Sequence, residues 1–322
     1  MLIPRRRLGA LAAALACGLG LGAPAAAQNY PSRTVRLIVP YSPGGANDVL
    51  ARLFANLLSS SFGQPVIVEN HPGAGGNIGS EMVARAAPDG YTLLYVSNSL
   101  AIAPALYPKM NYSLQQLAPI SLVADFPIAL VTSASIPAHN VKELVALSKK
   151  KSLNYGSTGI GSANHLTGVL LNSVAGVNNV HVPYKGAGPM MVALLGGEID
   201  FAAPNVFTAV PYLHSDRVHI LAVTGSKPSS ALPGVPTVGR DYPGFDTDVW
   251  HGFFTTAGTP APVVARLHEE IIKALHSPQM RDALEKGGGE TVGDTPEEFA
   301  RVIASDGKKY AKLVKISGAT AD

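Results

Sequence analysis

Cysteine is all but missing from this 322-residue chain, whose one example is Cys17. A lone cysteine near the N-terminus leaves the rest of the chain without a disulfide framework, a thiol nucleophile or a cysteine metal ligand, so stability there must come from burial. Long apolar runs are scarce as well. The one candidate, from Leu8 to about Leu21, is broken by Gly18 and Gly20 and followed by Gly22 and Pro24, which leaves it short of the ~20 apolar residues of a spanning helix. Arg5-Arg6-Arg7 precede it and Ala25-Ala26-Ala27 follow it before Gln28. The pattern is that of a secretory signal peptide over residues 1–27, cut near Ala27, and it predicts a periplasmic protein. Lipid attachment at Cys17 is a minor alternative, because Ala14 stands where a large aliphatic residue is usual. The paired arginines leave the folded-protein export route open beside the general one.

An excess of one charge sign is also lacking. The chain has 25 Lys and Arg against 22 Asp and Glu, and three of the basic residues are the leader arginines. Near-neutrality without blocks of like charge offers no footprint for nucleic acid or an anionic membrane. Catalytic signatures are missing in the same way. The nine histidines include no His-Glu-x-x-His helix, no serine stands in Gly-x-Ser-x-Gly, and no Gly-Lys-Ser/Thr phosphate loop occurs. No metal, cofactor or catalytic residue is expected.

What is present is an alternation of short apolar runs and helical periodicity over about 300 residues, a length that divides into two cores. Val35–Val39 reads as a buried strand, Ser42-Pro43-Gly44-Gly45 as a glycine loop, and Val49 to Leu58 as one apolar helix face. Val66–Glu69, the loop His71–Gly76 and the helix Ile78–Ala86 repeat that unit, followed by a strand at Tyr91–Val96. Asn140 with Glu143 caps a helix. Asn154–Ser157 leads through Thr158-Gly159-Ile160-Gly161 into a helix starting near Ser162. Val180–Val182, Ile199–Ala202, Val218–Val223 and Val249–Thr255 are further strands, Pro260 opens a helix running to Leu275, and Thr295 with Glu298 caps the last one. Such an order predicts an α/β fold with parallel sheets covered by helices.

Three loops join a strand's carboxyl end to a helix's amino end, where an α/β sheet offers unpaired N–H groups to a ligand. The first presents Ser42, Pro43, Gly44, Gly45, Asn47 and Asp48; the second Gly76 and Asn77; the third Gly161, Ser162, Asn164 and His165. One such loop alone is commonly an ordinary capped turn. The second is no dinucleotide fingerprint, since Ile78 stands where the third small residue is required. Ser162 and His165, three apart at a helix start, are the only residues that suggest a secreted serine hydrolase, and a cap for the serine and a structural role for the histidine are the simpler readings.

These segments resemble the receptor family of the tripartite tricarboxylate transporters, the Bug family of extracytoplasmic solute receptors. The resemblance is carried by Tyr41–Gly45 with Asp48, Asn70 with Pro72–Gly79, Ala86–Leu93, Leu153–Ser157, His165-Leu166, Val182–Gly186, Leu194–Gly197, Leu232–Thr237 and Ala257–Pro260. It implies a type II periplasmic-binding-protein fold: lobe 1 from 28–124 plus 225–322, lobe 2 from 125–224, and a hinge at the crossings Ile128–Val131 and Ile220–Val223. It also implies a monomer that captures a small mono- or dicarboxylate, an amino acid included, for membrane permease subunits or for a sensor ectodomain. Ser97, Ser99, Lys185, Ala203, Asn205 and Asp248 join the three loops as implied ligand contacts, and Trp250 is either a core residue or near the cleft mouth. Two departures stand out. His71 replaces a common Arg or Lys, and Pro204 precedes Asn205 in a loop expected to face the pocket. The pocket segments 41–48, 70–80, 97–100, 156–166, 181–189 and 202–208 hold no arginine and one lysine, Lys185, which favours recognition by backbone donors.

Overall fold

The computed structural model describes residues 30–317 and Ala319; the leader and Cys17 lie outside the described residues. Two sheets carry the chain. The first has six strands in the order β11-β4-β10-β3-β1-β2 and the second five in the order β7-β6-β8-β5-β9. β1 (Val35–Val39) lies between β2 (Val66–Asn70) and β3 (Thr92–Ser97), parallel to both. The intervening crossovers are α1 (Ala46–Phe62) and α2 (Asn77–Ala84), and α3 (Ser99–Leu106) follows β3.

The sheets are mixed rather than parallel throughout. The chain leaves the first sheet along β4 (Leu117–Pro127) and enters β5 (Ala129–Ser133) of the second almost at once. It returns after β9 (Val218–Val223) as β10 (Asp248–Thr256), which lies antiparallel to both β3 and β4. A strand that brings the chain back beside the one that took it out must run the other way. β5 is likewise antiparallel to β9 and to β8 (Phe201–Ala202), whereas β6 (Asn154–Ser157) is parallel to β8 and to β7 (Val180–Pro183). At the crossing, Thr224 Oγ1 accepts the Ile128 N–H at 2.9 Å and Thr224 N–H donates to the Ile128 carbonyl at 2.8 Å, tying the outgoing and returning segments together.

The second unit adds α4 (Val141–Lys150), α5 (Ala163–Ala175), α6 (Ala187–Gly196) and the single turn α7 (Val206–Ala209). The expected cap at Asn140 forms, its Oδ1 accepting the Glu143 N–H at 2.9 Å. After β10 come α8 (Ala261–Leu275), α9 (Pro278–Lys286), the short strand β11 (Glu290–Thr291) and α10 (Pro296–Ser317). Thr295 and Glu298 cap α10 reciprocally at 3.0 and 3.2 Å. Leu37, Phe54, Tyr95, Phe253 and Ile271 centre the core of the first unit, and Tyr155, Leu166, Phe201 and Leu221 that of the second. α10 serves both, with Phe299 in the first core and Tyr310 in the second.

Candidate functional site

α1 begins without a side-chain cap. Gly45 occupies the N-cap position and has nothing to cap with, so the N–H groups of the first turn find no partner among the described residues. Asp48 could have blocked that terminus with its charge. Instead it folds back into the loop: Oδ2 accepts the Gly44 N–H at 3.1 Å, while Oδ1 accepts from Arg52 at 2.8 Å and from the Asn70 amide at 3.0 Å. Burial opposes ionisation of Asp48, but these hydrogen bonds outweigh it and hold the carboxyl below its ordinary value.

α6, in the other unit, also begins uncapped, at Gly186. The two termini meet. Ser42 N–H donates to the Lys185 carbonyl at 2.8 Å, a Cβ on Gly45 would stand 3.1 Å from the Ala187 Cβ, and a Cβ on Gly188 would stand 2.6 Å from the Pro43 carbonyl oxygen. Gly75 and Gly159 make a second close approach, the latter's Cβ position lying 3.3 Å from the Gly75 Cα. Both have positive φ, 63° and 139°, so glycine serves conformation and clearance at once.

Between the two termini is a polar cavity of about 30 Å³, lined by Tyr41, Ser42, Gly45, Asn47, Asp48, Ser97, Thr158, Asn164, Gly186, Ala187, Asn205 and Val249 among others. It holds no more than a water or two. An outer chamber of about 450 Å³ shares Tyr41 and Thr158 with it and adds Gly73–Gly76, Tyr107, Gly159, Ile160, Tyr184 and Lys185. Tyr41 is fixed by Ser97 Oγ at 2.7 Å and Ser99 Oγ at 2.5 Å. The Asn47 side-chain nitrogen is buried without a partner.

The structure thus brings Ser42, Gly45, Asn47, Asp48, Ser97, Asn164 and Asn205 to one cavity, with Gly76 and Lys185 on the chamber outside it. Other candidates stand behind these walls. Ser99 supports Tyr41, Gly44 donates to Asp48, and the exposed Pro43 offers its carbonyl to the approach of Gly188. Asn77 accepts from Tyr112 OH at 2.8 Å, and the Ala203 carbonyl accepts from the Asn164 amide. Pro204 is buried, accepts the Ala129 N–H through its carbonyl and lines neither cavity, while the next residue of that loop, Asn205, lines the inner one.

Ser162 is a cap. Its Oγ accepts the His165 N–H at 3.1 Å and donates to the Gly159 carbonyl at 2.8 Å. The His165 ring faces elsewhere, its Nδ1 accepting the Gly161 N–H at 3.2 Å while it stacks on His181 at 3.9 Å between centroids. Burial pulls His165 down to about 4, and burial with repulsion from His165 pulls His181 down to about 3. Serine and histidine form no nucleophile–base pair here, which removes the geometric basis for a hydrolase.

Asp248 lies apart from the cleft. Its carboxylate accepts from Tyr310 OH at 3.1 Å and pairs with Lys309 at 3.6 Å, and it lines a wider depression of about 880 Å³ with Asp125, Asp246, Glu285, Glu290, Lys227 and Arg281. That depression is the larger hollow, but no uncapped helix start opens into it. Trp250 is a core residue, 2% exposed, whose indole N–H donates to Asp306 at 2.6 Å. His71 pairs with Glu69 at 3.2 Å, in keeping with a solvent-side substitution. The cavity residues that were not among the expected ligand contacts are Tyr41, Ala46, Thr158, Gly186, Ala187 and Val249. Thr158 and Ala187 lie in loops already marked by glycine; nothing local marks Val249.

Comparison with known proteins matches residues 50–318 to the family described as "Tripartite tricarboxylate transporter family receptor". The Bordetella pertussis protein BugT is 36% identical over 306 residues, covering 93% of this chain and 94% of BugT. Among solved structures, the periplasmic binding protein BugD superposes with a TM-score of 0.87 at 35% identity, covering 91% of this chain and all of that one. R. palustris Rpa4515, solved with adipate, gives 0.87 at 31% identity with 90% and 99% coverage. MatC of Rhodopseudomonas palustris, solved with malate, gives 0.84 at 31% with 88% and 100% coverage.

Proposed function

We propose a ligand for this chain, which belongs to the receptor family of the tripartite tricarboxylate transporters and is a solute-binding protein, not an enzyme: a small carboxylate held between its two α/β units. The observation that carries the reading is the convergence of two uncapped helix starts, α1 and α6, from separate units on one polar cavity without a cationic side chain. Each terminus presents N–H donors and the positive end of a helix dipole, a combination suited to one carboxylate group. The malate and adipate in related structures have the same chemistry.

In this reading the lobes are 28–124 plus 225–322 and 125–224, hinged where β4 passes into β5 and where β9 ends. Ser42, Gly45, Asn47, Ser97, Asn164 and Asn205 line the ligand. Gly44, Asp48, Ser162 and His165 shape the loops that present them. The small inner cavity means that the lobes part to admit a ligand and close around it. The receptor is exported, cut near Ala27, and delivers its ligand as a monomer to membrane permease subunits. An intact mass beginning at Gln28 in the periplasmic fraction checks the export step.

The binding test is a thermal-shift panel of mono-, di- and tricarboxylates with the corresponding amides, followed by calorimetry. A ligand at about 100 times its Kd stabilises by ~2.7 kcal/mol, about 5 °C or more in Tm. Acids should shift Tm and amides should not. Amides binding as well as their acids would overturn the reading.

A further inference from the structure

We infer that the cleft discriminates against ligands bearing an ammonium group and takes a dicarboxylate whose other substituents are neutral, its outer carboxylate facing Lys185. This rests on the carboxylate reading above and sharpens it. The charges that face the two neighbouring cavities carry it. In the inner one the ionisable side chains are Tyr41 and Asp48 alone. Tyr41 OH is already shared between Ser97 and Ser99, and burial raises its pKa, so it stays neutral. Asp48 is the only carboxylate among the described residues that line it, and its charge is already paired with Arg52, Oδ1 accepting from Arg52 and Asn70 and Oδ2 from the Gly44 N–H. An ammonium would have to share that carboxylate with Arg52.

Several backbone acceptors around the cleft already carry hydrogen bonds. The Ala203 carbonyl takes the Asn164 amide, the Lys185 carbonyl takes Ser42 N–H, and the Gly159 carbonyl takes the hydroxyls of Ser157 and Ser162. An ammonium entering here would find no unpaired carboxylate among the described residues and would face the positive ends of two helices. Neutral donors are in surplus, with the buried Asn47 amide nitrogen still unpartnered.

The outer chamber continues the pattern. Its ionisable residues are Tyr41, Tyr107, Tyr184 and Lys185, and no carboxylate lines it. Lys185 is exposed, and among the described residues its ammonium makes no ion pair. The chamber shares Tyr41 and Thr158 with the inner cavity and so lies beside it; with the lobes parted, one extended molecule would place a carboxylate at the helix starts and a second near the lysine.

The test is calorimetry on the purified receptor with matched pairs that differ only in the amino group: succinate and aspartate, glutarate and glutamate, adipate and 2-aminoadipate. In every pair that binds, the amino member should be weaker by about tenfold or more. Lys185→Ala should weaken the dicarboxylate roughly 2- to 5-fold, for loss of one exposed charge contact, while leaving the matching monocarboxylate unchanged. Its Tm without ligand should match that of the wild type, since among the described residues the exposed Lys185 side chain makes no hydrogen bond or ion pair. An amino acid that binds as tightly as its partner acid overturns the discrimination while leaving the carboxylate reading intact. Unchanged dicarboxylate affinity in Lys185→Ala overturns the outer contact. Failure of all six acids to bind would overturn the carboxylate reading itself, and this inference with it.

Discussion

Asp125 sits on β4 opposite Trp250, with one carboxylate oxygen buried and unpartnered. Burial, then the nearby Asp248 charge, push its pKa up to about 7 from 3.8. A carboxyl whose folded pKa is raised binds its proton more tightly when folded, so it costs stability as pH climbs from about 4 through 7. Asp125→Asn cannot ionise and escapes that cost. Its Tm relative to wild type should therefore rise between pH 5 and pH 8, by about 2 to 4 °C for each kcal/mol recovered; a constant difference would show that Asp125 does not titrate there. Ser162→Ala tests another single residue. Losing the α5 cap costs ~1 kcal/mol, hence about 2 to 4 °C in Tm, and ligand affinity should fall as the Gly159–Ser162 loop loosens. No esterase or amidase activity should be present to lose.

At the scale of elements, the two approaching helix starts separate folding from closure. Gly188 lies in the first turn of α6, and a methyl there would stand 2.6 Å from the Pro43 carbonyl oxygen across the cleft. Alanine suits a helix better than glycine by up to ~1 kcal/mol. Gly188→Ala should accordingly keep or raise the unliganded Tm while lowering carboxylate affinity about tenfold or more, as measured by calorimetry. Unaltered affinity would mean that the units need not approach this closely. The glycine loops themselves were legible from sequence because strand, glycine and helix periodicity agree at each. β4 was not: Pro119 and Pro127 interrupt the apolar pattern of an 11-residue strand, and proline is disfavoured inside sheets. It is accommodated at Pro127 because that residue closes the strand at the crossing. α3 was hidden in the same way by the internal Pro104.

For the whole molecule, a ligand that touches both units should shift the population toward the closed arrangement. Small-angle scattering should then report a lower radius of gyration at saturating carboxylate, and an unchanged radius would count against hinge closure. Stability should also depend on pH through the buried histidines. His165, His181 and His251 are held neutral at about 4, 3 and 3, against an ordinary value of 6.5, chiefly by burial. Unfolding exposes them to protonation below pH 6.5, so their stabilisation is complete above that pH and declines as pH falls toward 4. Asp125, Asp294 and Asp306, whose pKa values burial raises, have the opposite slope at acid pH, so the histidine share is read from a variant. The Tm of His251→Phe relative to wild type should rise as pH falls from 6.5 to 4, and a constant difference would show that His251 does not resist protonation there.

The amino-acid sequence by itself determined the α/β alternation, the export signal expected at 1–27, the glycine loops, and the caps at Asn140 and Thr295. Each of these is a property of local pattern, in which backbone preference and apolar periodicity lie within a few residues of one another. It also carried the shortage of cationic side chains in the loops, since a census of residue types needs no coordinates. Only the tertiary structure decided that α1 and α6 face each other, because their meeting depends on two units brought together by strands that cross at Ile128 and Thr224. It alone turned Asp48 into the loop, engaged His165 with Gly161 and His181, and carried Asp248 to a different hollow. Side-chain direction at such positions is settled by partners far away in sequence, Asn70 for Asp48 and Tyr310 for Asp248, and no local spacing encodes that choice.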